Sequence, residues 1–161
     1  MNPGVRPRLS RRYAASLIFL LTSCGQLPLT SSAAIPPIPA GASRLWVYRN
    51  DGPHDSQERP YLRLNGQIAA ISEPNGAYYR DLTPGHYMVS IDSYGVPYPN
   101  QFAQFDLGAG QEAFVKVLSQ RERVGGGGDS GFGLRAIFYA WLIPPDEARP
   151  EISSIPFYGS S

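Results

Sequence analysis

Two histidines, one cysteine and a serine in a glycine-rich run are the residues of this chain best suited to chemistry. Ser130 stands in the run Gly128-Asp129-Ser130-Gly131. A serine nucleophile needs a histidine base within hydrogen-bond reach, and a third group to orient that base. His54 and His86 are the two candidates. The stretch from Gly126 to Gly131 also has G-x-G-x-x-G spacing, which cradles a dinucleotide only between a strand and a helix of a parallel sheet. Here a strand is predicted to follow, so the run reads as a flexible hairpin loop with a polar tip. His54, Asp55 and Glu58 could supply metal ligands, but their spacing fits no standard set and all three fall in a polar loop. His86, beside Pro84-Gly85, reads as a surface residue. No metal site and no cofactor is expected.

Cys24 is the single cysteine. Before it come Arg6, Arg8, Arg11 and Arg12 with no acidic residue, an apolar run from Ala14 to Leu21, and the small residues Thr22 and Ser23. The apolar run is far short of the ~20 residues that span a bilayer and has the length of a signal-peptide core. Leu21-Thr22-Ser23-Cys24 resembles the bacterial lipobox. That resemblance implies a diacylglycerol on the Cys24 sulfur, cleavage before Cys24 and acylation of the new amine. Several acyl chains anchor a protein stably where one does not. Gly25 resembles the context that permits passage onward to an outer membrane. The alternatives are an ordinary secretory peptide with an incidental cysteine, or a short membrane anchor. Ser10-Arg11-Arg12-Tyr13-Ala14 faintly resembles a twin-arginine signal, which leaves the export route open. One thiol cannot close a disulfide within the chain, so the folded part must rely on packing.

The formal net charge of +1 hides an asymmetry. Without the four leading arginines the balance is ten basic residues against 13 acidic ones. A mildly acidic chain with no basic cluster is a poor partner for nucleic acid. With 17 glycines and 16 prolines in 161 residues, but 42% hydrophobic residues and ten tyrosines, the composition suits one packed domain of short strands and turns.

The chain divides into a signal peptide at 1–23, a Pro/Ser/Ala tether at 24–42, a strand-rich domain at 43–156 and a tail at 157–161. The uncharged, proline-dense tether is predicted to be semi-extended and to reach several tens of ångströms from the membrane. Arg44 to Arg49 reads as an aromatic strand. Tyr61 to Ile71 reads as a hairpin around Asn65-Gly66, which supplies the two positive-φ positions of a type I′ turn. Ala77 to Leu82 is a strand that turns at Pro84-Gly85, and in the next strand Tyr87, Val89 and Ile91 share one face. Tyr94 to Asn100 is a proline-rich loop. Gln101 to Leu107 and Glu112 to Glu122 are strands. Leu134 to Ile143 is apolar on both faces, as expected of a central strand or one covered by a tail. Asp146 to Ser154 allows one or two helical turns, limited by Pro150. About seven strands with almost no helix point to an all-β, small antiparallel β-sandwich or partly open barrel.

The aromatic strand Arg44 to Arg49, then Tyr61 to Ala69, the tyrosine-rich strand running into Asp81 to Ile91 with its Leu82-Thr83-Pro84-Gly85-His86 turn, and the ending Pro144 to Ile152 together resemble a family of uncharacterised bacterial envelope lipoprotein domains. They are also similar to PEGA-type β-sandwich domains, which implies a PEGA- or immunoglobulin-like or transthyretin-like sandwich. The shared motifs are structural: Asn65, Gly66, Pro84 and Gly85 at turns, and Leu82 in the core. The resemblance carries over no catalytic residue. Gly128 to Gly131 matches the surroundings of the serine in chymotrypsin-like proteases, but no second motif of that family accompanies it and the domain is too short for its two barrels. Most of the aromatic residues, Trp46, Tyr48, Tyr79 and Trp141 among them, suit core packing. Tyr94, Tyr98 and Phe102 form the candidate binding loop, because exposed aromatic rings serve protein and sugar partners. The expected function is a non-catalytic, lipid-anchored envelope module, outer-membrane in address and facing the periplasm, that binds a protein partner or cell-wall glycan. A purely structural role and a small hydrolase using Ser130 and a histidine are the alternatives.

Overall fold

A computed structural model describes residues 26–93, 101–124 and 133–160. Cys24, Tyr94, Tyr98, Asp129 and Ser130 lie outside the described residues. Nine strands are described: β1 (Ser43–Arg49), β2 (Tyr61–Leu64), β3 (Gln67–Ile71), β4 (Gly76–Leu82), β5 (Gly85–Ile91), β6 (Phe102–Leu107), β7 (Glu112–Val124), β8 (Gly133–Leu142) and β9 (Phe157–Ser160). One helix, α1 (Pro145–Ser153), precedes β9. The sheets are β8-β7-β1-β4-β9 and β3-β2-β5-β6, so the all-β sandwich read from the sequence is the architecture observed.

Between the sheets lies an apolar core. In β6 the burial alternates strictly, with Ala103, Phe105 and Leu107 inward, and in β5 Tyr87, Val89 and Ile91 do the same. They meet Leu45 and Val47 of β1, Val115 and Val117 of β7 and Phe138 of β8. At the β2–β3 tip, Asn65 and Gly66 have φ of 49° and 81°. These left-handed values fit the type I′ turn expected of this pair. Pro84-Gly85 marks a different turn, because β4 and β5 belong to different sheets and the chain crosses the sandwich there.

A second core covers the opposite face of the five-stranded sheet. Trp46, Tyr48, Tyr79 and Phe114 pack under Ala148 and Ile152 of α1 and under Ile155, with Ile35 and Phe157 alongside. Phe157 stacks on Tyr79, with ring centroids 5.8 Å apart. Consequently all seven residues of β1 are buried.

Several boundaries differ from those expected. The strand count is nine rather than about seven. Of the expected tail at 157–161, the described residues 157–160 form β9, which pairs in parallel with β4 and inserts Phe157 into the outer core. The pairing is not wholly antiparallel either: β1 and β7 are also parallel neighbours. The tether is folded onto the domain from Pro28 onward. Phe157 N donates to Pro28 O (2.8 Å), Thr30 N donates to Ile155 O (2.9 Å) and Arg44 Nη1 donates to Pro36 O (2.8 Å). The edge of β9 has free backbone groups that must be satisfied, and Ile35 has apolar surface to bury. Polarity and proline content conceal both needs. β8 is an edge strand rather than a central one, and its apolar run ends in exposed Trp141 and Leu142. Finally, α1 continues three residues beyond Pro150.

α1 is tied to the sheet by a polar cluster as well. Tyr48 Oη donates to Glu151 Oε2 (2.7 Å), and Lys116 Nζ donates to both Glu151 oxygens (2.8 and 2.9 Å). Burial pushes the Tyr48 hydroxyl well above its usual value, and its bond to Glu151 adds to that. For Glu151, burial alone would raise the carboxyl, but the bonds from Lys116 and Tyr48 together hold it below the usual carboxylate range. A carboxyl lowered by folding stabilises above its unfolded pKa, and that contribution is lost as pH falls through the folded value. Glu151→Gln is therefore expected to be less stable than the parent at pH 7 yet to lose less stability on acidification below about pH 5, measured by urea unfolding across pH. Parallel pH profiles for the two proteins would contradict this assignment.

Candidate functional site

The edge strands β6 and β8, one from each sheet, meet along a seam. Ala140 N donates to Gln101 O (3.2 Å), and Phe138 N donates to Ser93 Oγ (3.0 Å). Ser93 and Gln101 are the residues on either side of 94–100. Both ends of the candidate binding loop are therefore fastened to β8, and free-edge donors of β8 are satisfied in the process.

Exposed apolar side chains flank this seam. Phe102, the described member of the candidate loop, is 44% exposed at the start of β6. Trp141 is 54% exposed and Leu142 49% exposed at the end of β8. Phe102 follows Gln101 and Trp141 follows Ala140, so the two residues adjoin the same hydrogen bond. Several other aromatic residues behave differently. Trp46, Tyr48, Tyr79 and Tyr87 are buried, as core packing requires, whereas Phe102 and Trp141 are exposed, as Tyr61 on β2 and Tyr158 on β9 also are.

Beyond the exposed rings the seam widens into an open groove of about 550 Å³, lined by Phe105, Leu107, Glu112, Leu142, Pro144 and Arg149 among others. Its polar groups are largely engaged. Glu112 accepts from Trp46 Nε1 (2.9 Å) and from Arg149 Nη2 (2.5 Å). Asp106 pairs with His86 Nδ1 at 3.0 Å in an exposed contact. Glu112 and Arg149 were not singled out in the sequence. They lie 37 positions apart, and only the docking of α1 brings them together.

The remaining candidates fall elsewhere. His54, Asp55 and Glu58 occupy the loop after β1, where Asp55 accepts from Ser119 Oγ (2.8 Å) and from Gly52 N (2.7 Å). Buried Arg49 gathers this loop by donating to Glu58 O (2.8 Å) and to Ser56 O. Burial depresses the Arg49 guanidinium pKa, while the carboxylates of Asp55 and Asp51 oppose the shift. The loop carboxylate is thus committed to holding the loop's own shape. Among the described residues, no three His, Cys, Asp or Glu side chains converge as a metal site. His86 lies on β5 and bonds to Asp106, while His54 is exposed in its loop. Among the described residues the seam carries exposed rings, an adjacent groove and polar groups that are largely engaged.

Compared with protein-family models, with curated proteins and with solved structures, the chain matches none.

Exposed rings kept for recognition contribute little to folding. Phe102→Ala and Trp141→Ala are each expected to change unfolding free energy by no more than about 0.5 kcal/mol. Phe138→Ala, in the inner core, is expected to cost about 3–5 kcal/mol. Chemical denaturation of the three variants tests this, and losses at the seam comparable to that at Phe138 would assign those rings to packing instead.

Proposed function

We propose that this protein is a lipid-anchored bacterial envelope module without catalytic activity, which binds a protein partner along the β6–β8 seam. The observation that carries the binding site is the exposure of Phe102 and Trp141, each next to a residue of the hydrogen bond that fastens one end of the candidate loop to β8. Aromatic and aliphatic side chains together, beside a groove whose carboxylates already have partners, suit the desolvated centre of a protein interface. A glycan strand would call for more unengaged hydrogen-bonding groups around the rings than the described residues offer. The reading as an envelope lipoprotein rests on Leu21-Thr22-Ser23-Cys24 and on the basic and apolar segments before it. Among the described residues no helix is long and apolar enough to cross a membrane.

The test has two arms. Intact mass of the protein from bacterial membranes should give a chain that begins at Cys24 and carries fatty acyl groups. Cys24→Ser should leave the leader uncleaved and the acyl groups absent. A photo-crosslinking amino acid at Phe102 or Trp141, in cells, should give a discrete adduct that is absent when it replaces exposed Tyr61 on β2. Equal adducts from all three positions would refute the seam, and selective retention on purified cell-wall glycan would replace the protein partner with a carbohydrate.

A further inference from the structure

The docked N-terminal segment changes what an anchor at Cys24 would do. Only Gly25, Gln26 and Leu27 separate Cys24 from Pro28, whose carbonyl accepts from Phe157 N at 2.8 Å. Four residues of fully extended chain, from Cys24 to Pro28, span at most about 14 Å. A free tether through Ala42 would give several times that reach. An acylated Cys24 would therefore hold this domain against the bilayer, and by the edge that carries β9.

That edge is apolar. Leu29 and Pro156 form an antiparallel bridge. The same register places Leu27 opposite Tyr158, so that Leu27, Leu29, Pro156 and Tyr158 share one face of a short ribbon. Leu27 is 46% exposed, Leu29 47% and Tyr158 44%. The alternate face carries Phe157, which belongs to the outer core. The Tyr158 ring lies over Gly76, where an added Cβ would come within 2.6 Å of it, so the ring has a defined seat. Leucine with tyrosine suits the boundary between headgroups and acyl chains, where one end of the ring is apolar and the other wet.

We infer that Leu27, Leu29, Pro156 and Tyr158 form a membrane-contacting ribbon that lays the β9 edge on the lipid surface and directs the β8 edge away from it. The inference rests on acylation of Cys24. Its occupant is the bilayer because the chain between the acylated cysteine and the pinned Pro28 is too short to let the edge stand clear.

The test uses full-length protein expressed in bacteria, extracted from membranes and reconstituted into phosphatidylethanolamine–phosphatidylglycerol vesicles. A fluorescent amino acid replaces Tyr158, with Leu27 as a second site in case the ring is needed for folding, and Trp141 on the far edge as the reference. Lipids with a nitroxide near the headgroup should quench positions 158 and 27 at least twofold more than position 141. Equal quenching on an acylated protein would overturn the inference alone. Blue-shifted emission at 158 without quenching would mean that a protein, not lipid, covers the ribbon, and would overturn it too. A purified chain with no acyl mass at Cys24 would overturn the anchor reading and this inference with it.

Discussion

Burial of β1 on both faces is the constraint on which the rest of the molecule depends. Leu45 and Val47 face the four-stranded sheet, while Trp46 and Tyr48 face the opposite way. A strand with large apolar side chains on both faces needs two covers. The second sheet supplies one. The other is assembled from parts distant in sequence: α1, Ile155, Phe157 and the segment around Ile35. Polar contacts then fix that cover in place, through Lys116 and Tyr48 on Glu151 and through Trp46 and Arg149 on Glu112. Hydrogen-bonded ion pairs of this kind, partly shielded from water, orient a docked helix more than they stabilise it.

Local features of the sequence identified most of the strands. Asn65-Gly66 announces its hairpin because the turn requires positive φ at both residues. The alternation Tyr87, Val89, Ile91 announces a half-buried strand because side chains in a strand repeat every second residue. The remaining elements are set by long-range pairing. Phe157-Tyr158-Gly159-Ser160 is too short to show a period, and becomes a strand only because β4 offers it an edge. Pro28 to Ala42 reads as a linker because prolines and small residues dominate it. Its docking depends on single residues, Thr30 hydrogen-bonded to Ile155 and Ile35 packed in the outer core. Leu134 to Ile143 reads as a central strand or one covered by a tail because apolar residues on both faces usually mean two covers. At this edge the excess is Trp141 and Leu142, which remain exposed.

The candidate site was legible in part. The aromatic loop before β6 drew attention through Tyr94, Tyr98 and Phe102, but its fastening to β8 through Ser93 and Gln101 could not be read from a linear order in which these elements lie about 40 positions apart. The same fold separates two surfaces of different character. Apolar residues at the β9 edge adjoin the chain that leads to Cys24, and the exposed rings of the seam lie at β8. Four strand spacings, roughly 19 Å, intervene across the sheet.

With Cys24 acylated as proposed, whether the segment before β1 is part of the folded unit would decide between a domain held close and one on a long leash. Amide hydrogen exchange measures this directly. Thr30 N and Phe157 N, which donate to Ile155 O and Pro28 O, are expected to exchange many times more slowly than an unstructured chain, in company with the amides of β4. Exchange of both at the rate of a free chain, while β1 and β4 stay protected, would contradict the docked segment and the close attachment that follows from it.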